Sequence, residues 1–352
     1  DTSSSGGTVG FTSTIDGANT LTITSGAGNV DIASTVGGTT ALTSLKINES
    51  SGTGTIAINN VGDGDPAAGV TGLTVLGNAN TSSLTTDGSN YDFGGGITIG
   101  TDFTVAGSPL ANSFTTTGNV AFLGNLVIDG TFTVNSGGGN ISIAGDVTSS
   151  GADEFLYLTD GSGSGTITLG GTVTAADITL VGDSGITLSG DLTSNKASAG
   201  AFVFTGPITL ADTSTDSVTI DADNHANTTV TFNSTATVNA ATSGGQSLTI
   251  DTESGTVAMQ GVIGGSTALS SLTINADGDA NIEIASIGTS SAAGVTGATA
   301  IGNTSTGTLT LDGTVYTTTA GQTYTAASGQ NIDITNTSGT TFTTTNTAIA
   351  FN

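Results

Sequence analysis

The 352 residues of this chain include 28 acidic side chains but only two basic ones, Lys46 and Lys196, so the formal net charge is −26. Nucleic acids and anionic membrane surfaces both bind clustered lysine and arginine, and the composition therefore predicts neither partner. Cysteine is absent, which excludes disulfides, thiolate metal sites and a cysteine nucleophile. No run of 18 apolar residues exists, so we expect no membrane-spanning helix.

A three-residue unit recurs along the chain: two β-forming apolar residues flank one residue, usually Thr, and Gly, Ser, Asn or Asp follows. In chain order it includes Leu21–Ile23, Ile97–Ile99, Phe132–Val134, Ile167–Leu169, Ile186–Leu188, Leu248–Ile250 and Leu309–Leu311. Apolar residues at i and i+2 follow the period of a strand and not that of a helix. We therefore expect strands of roughly three to five residues, with the flanking residues pointing inward, and no α-helix longer than one turn.

Many short strands with frequent turns fit either a parallel β-solenoid or tandem antiparallel β-sandwich domains. Sandwich strands usually run to about five or six residues, and sandwich cores use large aromatic side chains, whereas this chain has no Trp and only four Tyr. We predict an all-β fold in which residues 1–352 form one continuous, elongated parallel β-solenoid, with tandem sandwiches as the alternative. At roughly 20–25 residues a turn the chain would make about 15 turns, stacked about 4.8 Å apart.

The chain also contains a long internal repeat. Residues 21–91 align with residues 248–316, with an offset of 227 residues at the start and 225 at the end. Tyr91, for example, matches Tyr316. Residues 100–247 carry the same triplet in a looser arrangement. Duplication of a block this long, with small deletions in turns, is typical of stacked units that contact only their neighbours.

Two segments, Leu248–Ile284 and Gly307–Ile334, resemble the repeat regions of large filamentous-haemagglutinin-like, β-strand-repeat surface proteins of Gram-negative bacteria. This resemblance covers nearly the whole chain at the level of composition and repeats. It implies a right-handed parallel β-helix that is exported to the cell surface or beyond and serves adhesion or scaffolding. No secretion signature of that family is visible, and we expect Asp1 to be a mature or excised start.

Acidic pairs spaced two residues apart are the candidate metal ligands, because hard oxygen ligands suit Ca²⁺. The predicted calcium ligands are Asp63, Asp65, Asp221, Asp223, Asp277 and Asp279. The alternative is that these residues simply form turns, as Asp commonly does. His225, the only histidine, lies beside one pair and has the same two interpretations, metal ligand or solvated turn residue.

Catalysis is not expected. The closest carboxylate pairs, Asp153 with Glu154 and Asp221 with Asp223, raise the alternative of a polysaccharide-cleaving β-helix enzyme, since a glycosidase needs only two carboxylates. Such an enzyme normally has an aromatic platform for the sugar, and Trp is absent. Outward-facing Thr raises a second remote alternative, an ice-binding solenoid, although Thr is also an ordinary residue for the solvent face of a strand.

The sequence therefore favours an extracellular or cell-surface structural protein, a subunit or segment of a filament, adhesin stalk or surface layer. We expect it to self-associate, because an uncapped solenoid end is an unpaired strand edge. The alternative is an adhesin module that binds carbohydrate or a neighbouring cell. Apart from the Ca²⁺ of the acidic pairs, we expect no cofactor.

Overall fold

The structure is a computed structural model, and it describes residues 1–2, 4–63, 69–105, 111–161, 163–196, 200–222, 227–345 and 347–352. Over these residues the chain is all-β and forms a parallel β-solenoid, which confirms the predicted fold class and rules out antiparallel sandwiches. The described residues contain no helix that is long and apolar enough to cross a membrane. The chain forms two compact units, Asp1–Gly171 and Thr172–Asn352, and each is described by itself.

Unit 1 is built from short strands in three parallel ladders. Its strands are β1 (Val9–Phe11), β2 (Thr20–Ile23), β3 (Val30–Ile32), β4 (Ser44–Ile47), β5 (Ile56–Ile58), β6 (Thr74–Leu76), β7 (Leu84–Thr86), β8 (Asn90–Phe93), β9 (Ile97–Ile99), β10 (Phe103–Val105), β11 (Ala111–Thr116), β12 (Val120–Phe122), β13 (Leu126–Ile128), β14 (Thr131–Asn135), β15 (Ile141–Ile143), β16 (Val147–Ser149), β17 (Phe155–Thr159) and β18 (Ile167–Leu169). The β1 side carries β1, β3, β5, β7, β10, β13 and β16; the β2 side carries β2, β4, β6, β9, β12, β15 and β18; the β8 side carries β8, β11, β14 and β17. Each solenoid turn visits the β1 side first, then the β8 side and then the β2 side.

Unit 2 has the same construction. Its strands are β19 (Val173–Ala175), β20 (Asp177–Val181), β21 (Ile186–Leu188), β22 (Leu192–Ser194), β23 (Ala201–Thr205), β24 (Ile208–Leu210), β25 (Ser217–Ala222), β26 (Thr229–Phe232), β27 (Val238–Ala240), β28 (Ser247–Thr252), β29 (Val257–Met259), β30 (Leu272–Ala276), β31 (Ile282–Ile284), β32 (Thr299–Ile301), β33 (Leu309–Leu311), β34 (Val315–Thr317), β35 (Gln322–Tyr324), β36 (Ile332–Ile334), β37 (Thr341–Thr343) and β38 (Ile349–Phe351). The β19 side carries β19, β22, β25, β28, β30, β32, β35 and β38; the β20 side carries β20, β23, β26, β29, β31, β33 and β36; the β21 side carries β21, β24, β27 and then the pair β34 and β37.

The triplets form strands because their alternation matches a three-sided core. In β9, Ile97 and Ile99 are 1% and 0% exposed, whereas the central Thr98 is half-buried and faces outward. β18, β21 and β33 repeat this pattern. Turn length varies from 19 residues between Val173 and Leu192 to 30 residues between Val218 and Leu248, a wider range than expected. The variation arises at the corners and in longer strands, since β11, β25 and β28 reach six residues.

The long repeat corresponds to turns in which a looped segment replaces one strand. In unit 1 this segment runs between Val36 and Leu42, and those two residues form single bridges to Val61 and Val70 of the next turn. In unit 2 it runs between residues 263 and 269, which bridge to residues 287 and 295 in the same way. The two repeat copies therefore fold alike, and in both copies the series ends on a buried tyrosine.

The buried tyrosines hold these looped turns through their hydroxyl groups. The Tyr91 hydroxyl accepts a hydrogen bond from the Gly88 N–H at 2.7 Å and donates to the Ile58 carbonyl at 3.3 Å. In the second copy, the Tyr316 hydroxyl accepts from Gly313 at 3.0 Å and donates to the Ile284 carbonyl at 2.8 Å. Burial raises the pKa of both hydroxyls above the ordinary tyrosine value. A polar group thus replaces ladder bonds where the regular strand is interrupted.

Candidate functional site

The predicted calcium ligands are only partly described, because Asp65 and Asp223 lie outside the described residues, as does His225. Asp277 and Asp279 lie in an exposed β-turn, in which the Ala280 N–H donates to the Asp277 carbonyl at 3.0 Å. Asp279 has φ +61°, a left-handed conformation that Asp tolerates in turns. This geometry fits the turn interpretation of that pair. The assignment of calcium to the three pairs stays a prediction.

A short acidic column on the β19 side is a second place where carboxylates meet. Asp221 pairs with Asp251, which pairs with Asn275 of the next turn. Burial raises the pKa of Asp251, and the charges of Asp277 and Asp221 raise it further, while a hydrogen bond from Asn275 lowers it. Over the part of the chain that the structure describes, no three His, Cys, Asp or Glu side chains form a group able to hold a metal ion.

The remaining residues considered for chemistry are bound into local structure. The Glu154 carboxylate accepts a hydrogen bond from the backbone N–H of Asp153 at 3.2 Å, so this carboxylate folds back on its own corner. Lys46 contacts Glu49 at 2.9 Å, an exposed pair three residues apart. Lys196 contacts Asp177 at 2.6 Å, and both side chains are mostly buried. Both lysines are therefore used in ion pairs within single units.

Unit 1 has a groove of about 500 Å³ on its surface. It lies at the corner that follows β6, β9 and β12. Gly77 and Gly100 form its floor, and a Cβ on Gly100 would lie 2.6 Å from the carbonyl oxygen of Gly77. The groove exists because stacked glycines leave no side chains at this corner. Leu123, which is 57% exposed, forms one wall, and Glu49 and Asp102 lie at its edge.

The polar groups around this groove mostly bond to the protein. The Asp102 carboxylate accepts from the Asn125 N–H at 2.8 Å. The Asn78 amide donates to the Asn48 carbonyl at 2.6 Å, and the Thr81 hydroxyl accepts from the Asn78 N–H at 3.1 Å. A site built for one ligand aims several polar groups at it. Here those groups join neighbouring turns instead, which favours a structural role for the corner.

A smaller hollow of about 280 Å³ lies on the β20 side of unit 2, between Ala258, Asn281 and Glu283.

Outward threonines form a column on the β19 side, where Thr219, Thr249 and Thr273 stack in register. The column continues as Ala300, Thr323 and Ala350. This alternation interrupts the regular hydroxyl spacing that an ice-binding surface would use.

Side chains of Asn and Asp form ladders between turns, a feature that our sequence analysis missed. At one corner the Asn119 side chain accepts from the Asn140 N–H at 2.9 Å, and the Asn140 side chain accepts from the Thr166 N–H at 3.0 Å. At another, Asn125 accepts from the Asp146 N–H at 3.0 Å. The signal in the sequence is an Asn or Asp directly before successive triplets, a position that is equally typical of a turn.

The first turn of unit 1 leaves core residues uncovered. Its inward-facing side chains Val9, Phe11, Ile15 and Leu21 are only half-buried. Their partners in the next turn, Val30, Ile32, Val36 and Leu45, are at most 1% exposed. The difference arises because β1 and β2 stand at the edge of their ladders.

The last turn of unit 2 is open in the same way. Ile334 in β36 and Phe351 in β38 are 52% and 48% exposed, although their partners in the preceding turn, Leu311 and Tyr324, are fully buried. Phe351 stacks on Tyr324 with ring centroids 5.1 Å apart. The exposure of these side chains arises because β36 and β38 are the last strands of their ladders among the described residues.

Comparison of the chain with protein-family models, with curated proteins and with solved structures finds no match.

Proposed function

We propose that this chain is an extracellular structural protein, a segment or subunit of a surface filament, adhesin stalk or surface layer that assembles through β-pairing and lateral contacts. The observation that carries the proposal is the use of polar side chains. At the corners, Asn119, Asn140 and Asn125 bond from one turn to the next, and both lysines are paired. Side chains committed to stacking serve the scaffold and leave few groups for chemistry.

Extensibility also supports a structural role. Strands pair in parallel register with the turn before and the turn after, as β9, β12 and β15 do, so one more turn extends the same ladders. Stability of such a stack is approximately the sum of turn and neighbour terms. Length can therefore change by whole turns without redesign of a core, which suits a protein whose task is to span distance.

The charge supports a surface location for the same scaffold. A net charge of −26 makes the exposed sides of separate chains repel one another, which keeps the protein in solution at low ionic strength. Ionic strength outside the cell screens such charges over about 8 Å or less, which permits lateral contacts.

A carbohydrate-binding adhesin module is the second candidate, and the groove beside Leu123 is the observation that favours it. Its walls combine an apolar side chain with the carboxylates of Glu49 and Asp102. Glycan-array binding by the purified chain, compared with a Leu123→Ala variant, tests this candidate. Specific binding that the variant loses would make recognition the better description.

Immunogold labelling of intact, non-permeabilised cells that make the protein tests the main proposal. We expect label on the cell surface, in filaments or in a layer, and no hydrolysis of polysaccharides by the purified chain. Label confined to the cell interior, or turnover of a polysaccharide, would contradict the proposal.

A further inference from the structure

The β2 side of unit 1 is uncharged from β6 to β18, although the net charge of the chain is −26. Its strands and their adjoining corner residues, all of them described, contain no Asp, Glu, Lys or Arg over residues 73–77, 95–100, 118–124, 139–145 and 165–171. On the other two sides of the same turns, acidic residues adjoin the strands, such as Asp87 after β7, Asp92 in β8 and Asp129 after β13. Repulsion between two copies of unit 1 is therefore weakest on the β2 side.

The same side is also flat. Its outward residues are small and stack in register in the order Val75, Thr98, Ala121, Ser142 and Thr168. Glycines at the adjoining corners keep side chains from rising above the sheet, and a Cβ on Gly118 would lie 2.7 Å from the carbonyl oxygen of Gly95. Sheets pack face to face about 10 Å apart, so a flat, uncharged sheet suits contact with another one.

Two exposed leucines border this side at opposite corners. Leu73 directly precedes β6 and is 48% exposed, and Leu123 directly follows β12 and is 57% exposed. Leu123 is one wall of the groove, whose lining also includes Gly77 and Gly100. The turn that contains β6 therefore has an apolar projection at one edge of the side and the groove at the other edge. This arrangement is complementary to a second copy of itself, as the interface of a two-fold pair must be.

One two-fold axis brings the projection and the groove together. An axis that lies in the contact plane and runs along the solenoid axis exchanges the two edges of the side but keeps the level of each turn. Leu73 of one copy then faces the Gly77 corner of the other, where the groove begins, and each outward residue faces its own counterpart. An axis along the strands would leave Leu73 facing glycine corners such as Gly95, away from the groove.

We propose that the β2 side of unit 1 binds the same side of a second copy about this two-fold axis, with each Leu73 in the groove beside Leu123 of the other copy. The contact is isologous, so it closes on a pair of parallel chains. The carboxylates at the groove, Glu49 and Asp102, lie at opposite edges in the two copies, more than about 13 Å apart at about 3.3 Å per residue. Salt screens charges at that separation. This inference rests on the proposed structural function and identifies one of its lateral contacts.

The size of the contact sets the expected affinity. Five turns stacked about 4.8 Å apart and a width of about 13 Å give roughly 300 Å² per copy. Stable protein pairs bury about 800 Å² per partner. We therefore expect a dissociation constant of about 0.1–1 mM for two free chains, with tighter pairing where many chains are held side by side.

Cross-linking through introduced cysteines tests the symmetry and suits a weak contact, because the chain has no cysteine of its own. In the proposed pair, Thr98 and Ser142 each face their own counterpart across about 10 Å. Thr98→Cys and Ser142→Cys are compared with Thr104→Cys, a matched control at the outward centre of a strand on the β1 side. Each variant, at about 0.5 mM and about 0.15 M salt, is treated with a bis-maleimide that spans about 10 Å.

We expect covalent dimers from Thr98→Cys and from Ser142→Cys, and about tenfold fewer from Thr104→Cys. When the first two variants are mixed, mass spectrometry should find mainly dimers of like with like, because the two positions lie two turns, about 9.6 Å, apart along the axis. Mainly mixed dimers would show an antiparallel pair and overturn the proposal. Dimer yields no higher than those of Thr104→Cys would overturn it as well.

Substitution of the projecting leucine tests the groove contact. In the Thr98→Cys protein, Leu73→Asp should lower the dimer yield by about tenfold or more, because a carboxylate would enter an apolar contact without a partner. Leu73→Ser should act in the same direction, and it decides the test where circular dichroism shows that Leu73→Asp is not folded. Tyr157→Asp is the matched control: Tyr157 is exposed on the β8 side, and we expect a yield within about twofold of the parent. Equal yields from the Leu73 and Tyr157 variants would refute the inference.

These outcomes separate the inference from the function on which it rests. Failed cross-linking together with surface labelling of cells would leave the structural function in place and reject this contact. Failed cross-linking together with glycan binding that Leu123→Ala abolishes would assign the groove to recognition instead. Label confined to the cell interior would reject the function whatever the purified chain does.

Discussion

The tight glycine corner of the looped turns allows a quantitative test. Gly264 has φ +64°, and a Cβ on it would lie 2.0 Å from the carbonyl oxygen of Gly294 in the next turn. That carbonyl accepts the Leu269 N–H at 2.9 Å, and the Gly264 N–H donates to the Val238 carbonyl at 2.6 Å. In the first repeat copy, Gly37 has φ +66° and the same kind of contact at 1.9 Å.

Gly264→Ala should destabilise unit 2 through two separate effects. The left-handed backbone costs a residue with a Cβ about 1–2 kcal/mol. Real Cβ contacts are essentially never shorter than 3.0 Å, so the Gly294 carbonyl must move by about 1 Å or more. Its hydrogen bond from Leu269 then weakens, at a cost of about 1 kcal/mol. We expect a total loss of about 2–3 kcal/mol, concentrated in the turns that contain residues 263–269 and 287–295.

Hydrogen exchange followed by mass spectrometry measures this loss locally, which suits a stack whose parts open separately. Exchange should accelerate in the two affected turns, and the Gly37→Ala variant should show the same change in unit 1. Gly10→Ala is the control, because its added methyl meets nothing within 4 Å, and we expect a change below about 0.5 kcal/mol. If Gly264→Ala behaves like this control, then the close contact does not determine the looped turn.

Three further results are expected. Tyr91→Phe and Tyr316→Phe should each lower stability by about 1–3 kcal/mol in thermal unfolding, because each leaves a buried glycine N–H without its acceptor; unchanged melting of both would contradict this. Burial raises the folded-state pKa of both tyrosines and of Tyr324, so the stability that they contribute is complete below pH 10 and is lost as pH rises above it. Absorbance, which follows tyrosine ionisation, and circular dichroism, which follows unfolding, should therefore change together as pH rises, and ionisation should not precede unfolding. Burial also raises the pKa of Asp251, so the stability that this residue contributes is present at low pH and is lost as pH rises through that pKa. The Asp251→Asn variant should therefore be more stable than wild type at pH 7 and equal to it in acid. Equal unfolding midpoints of the two proteins at pH 7 would reject this reasoning.

Strand positions followed from the sequence because the core imposes a strict alternation. The triplet Ile167–Leu169 forms β18, and Leu309–Leu311 forms β33, with flanks buried and centre outward in both. Turn residues between the triplets exclude long strands, and short strands favour a parallel solenoid over antiparallel sandwiches. Alternation cannot fix turn length, however, because length depends on corners such as the one before β28, where no apolar period exists.

The candidate site was less predictable, since it depends on which residues different turns bring together. Asp102 and Asn125 were not singled out in the sequence, yet the Asp102 carboxylate binds the Asn125 backbone from 23 residues away. The groove depends on Gly77 stacking under Gly100, a contact between turns that no local pattern specifies. Local sequence therefore indicates which hydrogen-bonding groups each side chain carries, and the register between turns decides whether those groups meet a partner.

Register also explains why the sides of the solenoid offer little to a second chain. On a side, the outward residue of each turn, such as Thr249 or Thr273, has its backbone already paired to both neighbours, so a second chain gains only side-chain contacts there. Such contacts must also overcome repulsion between chains of net charge −26. Lateral layers should therefore form only where this charge is screened, and carboxylate-bridging cations such as the predicted Ca²⁺ would act on that step.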